Sequence, residues 1–172
     1  SGDAVVVWND NSQPAGDKLR YAVWDGTSWS APQSIGIYSG GEPQNVSLAF
    51  DPSSDAMVLV VNDISADEYA LVWDGSSWGN AMTLDTSGRV ENDQNMHGVA
   101  YEAHSGHAMV TYNKEGDPNV YYRIWDGTSW SAEASVSAPA GVTGEARTAY
   151  LATDYTSNSL VMGVIGANRE GW

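Results

Sequence analysis

A six-residue motif, Trp-Asp-Gly-(Thr/Ser)-Ser-Trp, occurs three times and constrains the fold more than any other feature of the sequence. The copies are Trp24–Trp29, Trp73–Trp78 and Trp125–Trp130, and their first residues are 49 and 52 positions apart. Asp-Gly between apolar runs is typical of a β-hairpin, because both residues tolerate the positive φ of the turn. We therefore predict a hairpin at each copy, within a structural unit that repeats about every 52 residues.

Each motif follows an apolar run that reads as a strand. These runs are residues 4–8, 56–61 and 108–112, and a fourth run, 160–165, has no motif after it. Side chains alternate between the two faces of a strand, yet a run such as Met57–Val61 is apolar on both faces. A sheet that is apolar on both faces needs another sheet on each side. The sequence therefore predicts an all-β fold, a β-propeller-like array of four-stranded antiparallel blades stacked face to face.

Two complete blades are expected, at residues 45–94 and 95–145, with the last strand of a blade beginning at Trp78 or Trp130. Residues 1–44 are expected to form three strands of a partial blade, and residues 146–172 the first two strands of another. Four blades of this size, the usual minimum, need about 208 residues, and the chain has 172. The array is thus expected to be incomplete within one chain, and the expected partners are flanking blades or other copies of the chain. A β-sandwich is the alternative fold, because it also suits short regular strands, but it does not explain the repeat.

Charge and composition exclude several classes of function. The chain has 7 Lys and Arg against 22 Asp and Glu, a net charge of −15. Nucleic-acid binding needs a basic surface, and so does a polybasic membrane anchor. No apolar run approaches the roughly 18 residues of a membrane-spanning helix. Cysteine is absent, which excludes disulfides and thiolate sites. The acidic, Lys-poor, Trp- and Tyr-rich composition favours an extracellular or cell-surface location.

The segment Leu19–Gly36, with an aromatic strand, Trp-Asp-Gly-Thr-Ser-Trp-Ser and an Ile-Gly ending, resembles the blade repeat of bacterial fucose-binding seven-bladed propeller lectins. The likeness recurs at residues 121–131 and, less closely, at 69–79. The motif is also similar to a shortened Asp box, the hairpin of sialidase-type propellers. Both motifs are structural in their families. The lectin resemblance implies shallow sugar pockets between adjacent blades, with aromatic rings beneath the apolar face of the sugar.

Tryptophan side chains are the candidate ligand-binding residues, because their rings could serve as sugar platforms. They are Trp8, Trp24, Trp29, Trp73, Trp78, Trp125 and Trp130. Packing between blades is the alternative role, favoured by their recurrence and by the roughly 150–250 Å² that each ring buries. Trp8 lies outside the motif and is the more specific candidate.

The Asp-Gly pairs of the motifs are predicted to be structural turn residues. They are Asp25, Gly26, Asp74, Gly75, Asp126 and Gly127. Each carboxylate is expected to accept hydrogen bonds from backbone N–H groups of its loop. A similar turn role is expected for Asp51, Glu102 and Asp154.

No residue set selects a metal or a cofactor. His104 and His107 are three residues apart in a turn, and no third ligand for zinc is identifiable. The oxygen-rich loops Asn9–Asp17, Asn62–Glu68 and Glu91–Asn95 are where calcium would bind, but none has the spacing of a dedicated calcium loop. We therefore expect no cofactor.

Catalytic motifs are not recognisable in the sequence. A sialidase-type site needs a cluster of arginines, and Arg20, Arg89, Arg123, Arg147 and Arg169 occupy non-equivalent positions in the repeat. We predict a non-enzymatic extracellular binding or assembly module whose ligand is a glycan. The alternatives are a purely structural repeat of a surface or filament protein and a fragment of a sialidase-like glycoside hydrolase.

Overall fold

The chain folds entirely into strands and connecting loops in the computed structural model, which describes residues 4–86, 97–142, 144–167 and 171. No helix in these ranges is long and apolar enough to cross a membrane. The strands are β1 (Ala4–Asn9), β2 (Leu19–Trp24), β3 (Gln33–Ser34), β4 (Pro43–Phe50), β5 (Met57–Asp63), β6 (Glu68–Trp73), β7 (Trp78–Asp85), β8 (Gly98–Tyr101), β9 (Ala108–Asn113), β10 (Val120–Trp125), β11 (Ala134–Val136), β12 (Ala146–Thr153) and β13 (Leu160–Gly166).

The strands form four antiparallel sheets, and each strand pairs with its neighbour in sequence. The first sheet is β1-β2-β3, the second β4-β5-β6-β7, the third β8-β9-β10-β11 and the fourth β12-β13. None of these sheets closes on itself within the described residues. β8 contacts β4 of the second sheet on one side and β12 of the fourth on the other. The prediction of a β-propeller-like array of four-stranded antiparallel blades is therefore confirmed. The boundary predicted between residues 94 and 95 lies outside the described residues.

Apolar side chains fill three interfaces between consecutive sheets. The first interface, between sheets one and two, has a buried cluster of Leu19, Ile35, Tyr38, Leu59, Val61 and Leu71. The second interface, between sheets two and three, buries Val58, Val60, Ala70, Val72, Leu84, Tyr101, Ala108, Val110, Tyr112 and Trp125. The third interface buries Val120, Ala146, Ala149 and Val164. The second sheet is thus buried on both faces, as the two-sided apolar pattern of β5 predicts.

The last strand begins at Trp78 in the second sheet, as expected, but the expected start at Trp130 is wrong. In the third sheet the last strand begins at Ala134, and Trp130 forms only an isolated bridge with Trp125. The reason is the residue after the tryptophan. The Ser131 hydroxyl accepts the N–H of Ile124 at 3.0 Å, so the side chain takes the place of a strand carbonyl. Gly79 has no such side chain and pairs with Val72 in the ladder.

Candidate functional site

The three Asp-Gly turns are built alike and satisfy their own polar groups. Asp25 Oδ1 accepts the backbone N–H groups of Thr27 and Ser28, both at 2.8 Å, and the Thr27 hydroxyl at 2.7 Å. Gly26 has a φ of 94°, a left-handed conformation that a β-branched residue adopts only with strain. The hydroxyl and backbone hydrogen bonds lower the pKa of Asp25 to about 2. Asp74 and Asp126 accept the same set of hydrogen bonds.

Each motif also brings its two tryptophan rings together across the hairpin. The ring centroids are 5.6 Å apart for Trp24–Trp29, 5.5 Å for Trp73–Trp78 and 5.4 Å for Trp125–Trp130. The two tryptophans of each motif are bridged partners separated by a four-residue turn. Both rings therefore lie on the same face of the sheet.

The second and third tryptophan pairs lie between sheets, whereas the first pair faces outward. Trp73 and Trp125 are buried. Trp130 Nε1 donates to the carbonyl of Asn80 in the preceding sheet at 2.8 Å. Trp29, in contrast, is 50% exposed. Trp8 is paired with Arg20 in the ladder, on the same face as Trp24. The structure thus divides the candidate tryptophans between two interfaces and one outer surface, and gathers them into no single site.

A cleft lies where the first strands of three sheets come together, and we name it the axial cleft. Its volume is about 310 Å³, and it is lined by Leu48, Ala49, Phe50, Pro52, Val99, Ala100, Tyr101, Leu151, Ala152, Thr153 and Tyr155. Phe50 and Tyr155 are 64% and 69% exposed, and they are the largest exposed side chains of the cleft. Two large rings that pack against no core are available for a ligand.

Backbone groups supply the polar component of the axial cleft. β4, β8 and β12 are each the edge strand of their sheet on this side. The Asp51 N–H donates to the Ala56 carbonyl at 2.8 Å, so the backbone polar groups of Asp51 are directed towards β5. Because antiparallel ladders alternate, Leu48 and Phe50 direct their N–H and C=O groups away from β5. In β12, the Asp154 N–H donates to the Ser159 carbonyl, so Asp154 is directed towards β13. By the same alternation, Leu151 directs its N–H and C=O groups away from β13.

A second concavity, the inter-sheet groove, lies between the first and second sheets. Its volume is about 210 Å³, and it is lined by Ala4, Val5, Val23, Phe50, Ser54, Asp55, Met57, Trp73 and Gly75. Trp73 is the one candidate tryptophan in this lining. Phe50 lines both the groove and the axial cleft.

Phe50 and Tyr155 are missing from the sequence-based candidates, which were all tryptophans. Phe50 pairs with Met57 in the second sheet, and Tyr101 pairs with Ala108 in the third. Phe50 and Tyr101 therefore hold the same position in successive sheets. The one available signal was that this position holds the only phenylalanine of the chain.

The acidic and histidine-containing loops use their polar groups locally. Within the described ranges, no group of three or more His, Cys, Asp or Glu residues is arranged to hold a metal ion. His107 Nδ1 lies 3.9 Å from Glu102 Oε2, and the His104 backbone N–H donates to Asn158. Asp10 accepts hydrogen bonds from Ser12, and Asp63 accepts them from Ser65 and Asp67. The loop Glu91–Asn95 lies outside the described residues.

The arginines do not come together in the part of the chain that the structure describes. Arg20 donates to the carbonyl of Pro32 in the first sheet, and Arg123 donates to that of Ser131 in the third. Arg147 lies in β12 of the fourth sheet. Arg89 and Arg169 lie outside the described residues.

Among the described residues, the carboxyl group of Glu68 is fully buried without a hydrogen-bond partner. Burial, with the nearby negative charge of Asp85, raises the pKa of Glu68 well above its ordinary value. The equivalent residues at the start of β2 and β10 are Leu19 and Val120, which are apolar and buried. Glu68 is thus an ionisable residue within the otherwise apolar second interface. It lines neither the axial cleft nor the inter-sheet groove.

Two proteins of known structure are similar to this chain. An intramolecular trans-sialidase from Ruminococcus gnavus, solved with oseltamivir carboxylate, superposes with a TM-score of 0.58 at 13% sequence identity, over 98% of this chain and 38% of that one. Aleuria aurantia lectin, solved with alpha-methyl-L-fucoside, gives a TM-score of 0.49 at 18% identity, over 95% of this chain and 53% of that one.

The chain therefore spans between about a third and about a half of the length of these two proteins. No protein-family model matches the sequence, and no curated protein matches it. The resemblance to sialidase-type propellers is confirmed at the level of the fold, and the fold that this chain shares with them is the β-propeller type.

Proposed function

We propose that this chain is a non-enzymatic carbohydrate-binding module that holds a saccharide in the axial cleft. The observation that carries the proposal is the pair of exposed rings, Phe50 and Tyr155, beside a cleft of about 310 Å³. Phe50 is the last residue of β4, Tyr155 lies in the turn between β12 and β13, and neither ring belongs to a buried cluster. Exposed apolar surface that lines a concavity is typical of a ligand or partner site.

The chemistry of the cleft suits a saccharide. A sugar ring has an apolar C–H face that packs on an aromatic ring, and hydroxyl groups that need donors and acceptors at its rim. Phe50 and Tyr155 supply the rings, and the edge backbone groups of Leu48 and Leu151 supply polar partners. The cleft is at the lower end of the volumes of small-molecule sites, about 300–1,000 Å³, which favours a mono- or oligosaccharide of modest size.

The absence of an enzymatic role and the extracellular location are parts of the same proposal. Arg20 and Arg123 each donate to a backbone carbonyl of their own sheet, which supports binding over sialidase-type hydrolysis. The acidic composition and the small number of lysines support a location outside the cell.

Assembly with further blades is the second candidate function, and the outer face of the first sheet favours it. Trp8, Trp24 and Trp29 lie on that face, and Trp29 is 50% exposed. In the second and third sheets the same face is covered by the preceding sheet, so a further blade or a second copy of the chain would fit here.

Titration calorimetry tests the saccharide proposal. The probes are α-methyl-L-fucoside, which the sequence resemblance places first, and 3′-sialyllactose. We expect saturable binding that weakens about tenfold in Phe50→Ala and in Tyr155→Ala. Ile64→Ala is the matched control, because Ile64 is an exposed apolar residue outside the cleft. If neither probe binds, or if Phe50→Ala and Tyr155→Ala bind as tightly as Ile64→Ala and the wild type, the site is refuted. Release of sialic acid from 3′-sialyllactose would refute the non-enzymatic role.

A further inference from the structure

We propose that the free edge of β1 accepts one additional antiparallel strand from another polypeptide, and that this strand carries small residues at alternate positions. The added strand and the saccharide would both contact Leu48 and Phe50, so the two ligands would compete, whereas Tyr155 belongs to the saccharide site alone. The proposal rests on an unpaired strand edge and on a bare apolar face beside it.

The edge is the first observation. In the part of the chain that the structure describes, β1 pairs with β2 on one side and with no strand on the other. The Asp10 N–H bonds to the Lys18 carbonyl at 2.8 Å, which marks Asp10 as directed towards β2. By the alternation of antiparallel ladders, Val5 and Val7 then direct their N–H and C=O groups to the free side. Such a row of backbone groups is a template for strand addition.

The bare face is the second observation. Val46, Leu48 and Phe50 lie on the face of β4 that points towards the first sheet, and all three are exposed. The equivalent residues of β8 are Val99 and Tyr101, and Tyr101 is only 2% exposed. The second sheet covers β8 there, with Ala49 of β4 packed against the same cluster. A strand on the free edge of β1 would cover β4 in the same way.

The spacing of the first strands defines the chemistry of the added strand. A Cβ atom on Gly98 of β8 would lie 2.7 Å from the Ala149 carbonyl oxygen of β12. Gly98 and Ala100 are the β8 residues on the face towards the fourth sheet, and Ser47 and Ala49 are those of β4 towards the third. β4 and β8 therefore each present small side chains to the equivalent strand of the next sheet, which is β8 for β4 and β12 for β8. The added strand needs Gly, Ala or Ser at the alternate positions that face Leu48 and Phe50.

We assign the added strand to a separate polypeptide with this alternating pattern. β4, β8 and β12 are each paired with another strand of their own sheet. A folded second copy of the chain therefore has none of these three strands free to donate. The contacts that the added strand would make continue those between β4 and β8 and between β8 and β12.

Fluorescence anisotropy of a labelled peptide tests the proposal. The probe is a blocked peptide with the sequence of residues 44–51, which carries Ser47 and Ala49 on its small face. We expect saturable binding to the whole chain. A control peptide in which both Ser47 and Ala49 are Leu is expected to bind about tenfold more weakly or worse.

Two variants of the chain locate the peptide. Val7→Pro removes one N–H from the free edge and leaves the ladder with β2 intact, and Leu48→Lys places a charge on the bare face. Both are expected to weaken binding about tenfold or more, with circular dichroism confirming that each variant folds. Val161→Lys is the control, because Val161 is an exposed strand residue of the fourth sheet. Tyr155→Ala should also leave peptide affinity unchanged, which separates this result from the saccharide test.

Three results would overturn the proposal. They are no peptide binding, equal binding of the Leu-containing peptide, or binding that Leu48→Lys leaves unchanged.

Discussion

The first and second interfaces are built from equivalent positions of one repeat, yet they bury those positions differently. Phe50 at the first interface is 64% exposed, whereas its equivalent Tyr101 at the second is 2% exposed. Tyr101 is covered because β4, the first strand of the second sheet, lies against β8. On the side of the first sheet, β4 contacts β1, and this contact leaves Phe50 exposed. A repeat position is thus a core residue or a surface residue according to the sheet beside it, whatever its residue type.

The two interfaces also differ in polarity at one buried position. Leu19 at the first interface belongs to the apolar cluster, whereas its equivalent at the second, Glu68, is a buried carboxyl group without a partner. A buried polar group that makes no hydrogen bond costs free energy of folding. The second interface, which covers Tyr101, therefore contains the less favourable side chain at this position.

Truncating the two equivalent aromatic side chains gives the largest expected contrast. Tyr101→Ala should cost about 3–5 kcal/mol of unfolding free energy, because it empties a site in a closed core. Phe50→Ala should cost about 1 kcal/mol or less, because the ring is already in contact with water. Urea unfolding followed by tryptophan fluorescence measures both. Similar losses in the two variants would show that the interfaces are not different in the way described.

Converting the second interface to the apolar type of the first should stabilise the chain. Glu68→Leu is expected to raise the free energy of unfolding at pH 7 by about 1–3 kcal/mol, because it removes an unpaired buried carboxyl group. The raised pKa of Glu68 in the fold also fixes the sign of the pH effect. Wild type loses stability as the pH rises above the ordinary pKa of about 4.3, while the variant lacks this loss. Denaturant melts at pH 4 and pH 8 compare the two chains, and Glu68→Gln is the conservative control.

Adding one methyl group extends the comparison to the third interface. Gly98→Ala should destabilise by about 1–3 kcal/mol, because the new Cβ would lie 2.7 Å from a backbone oxygen, which cannot move aside easily. Gly163→Ala is the matched control in β13, where a Cβ would meet no atom within 4 Å. Thermal unfolding of the two variants should differ clearly. Equal melting temperatures would contradict the close approach of β8 and β12.

The smallest effects are expected in the Asp-Gly turns, which are alike at every interface. The pKa values of Asp25 and Asp74 are both lowered to about 2 by hydrogen bonds within their loops. The stability that these carboxylates contribute is therefore present above the ordinary pKa near 4 and is lost as the pH falls towards 2. Asp25→Asn and Asp74→Asn should each reduce this acid-dependent loss, by similar small amounts. Acid titration monitored by circular dichroism measures it, and a much larger effect at Asp74 would mean that the turns sense their interfaces.

The repeat predicted the fold because its signals are local. Asp-Gly turns such as Asp25-Gly26, the tryptophans that bridge them, and two-sided apolar runs such as Met57–Val61 act within one sheet. The site was harder to predict, because most candidate tryptophans belong to the repeated motif, and motif residues such as Trp73 and Trp125 are buried in the packing between sheets. Phe50 and Tyr155 occupy positions that differ between repeats, and their exposure depends on contacts between sheets.

The sequence by itself determined the strand order within each sheet, the hairpin turns and the need for sheets to stack, because hydrogen-bonded ladders and alternating faces are local properties of a chain. Only the tertiary structure decided which equivalent residues are covered. Burial depends on the neighbour across an interface, so Trp29 and Phe50 are exposed while Trp130 and Tyr101 are covered by the preceding sheet. The axial cleft and the free edge of β1 follow from that same placement of sheets.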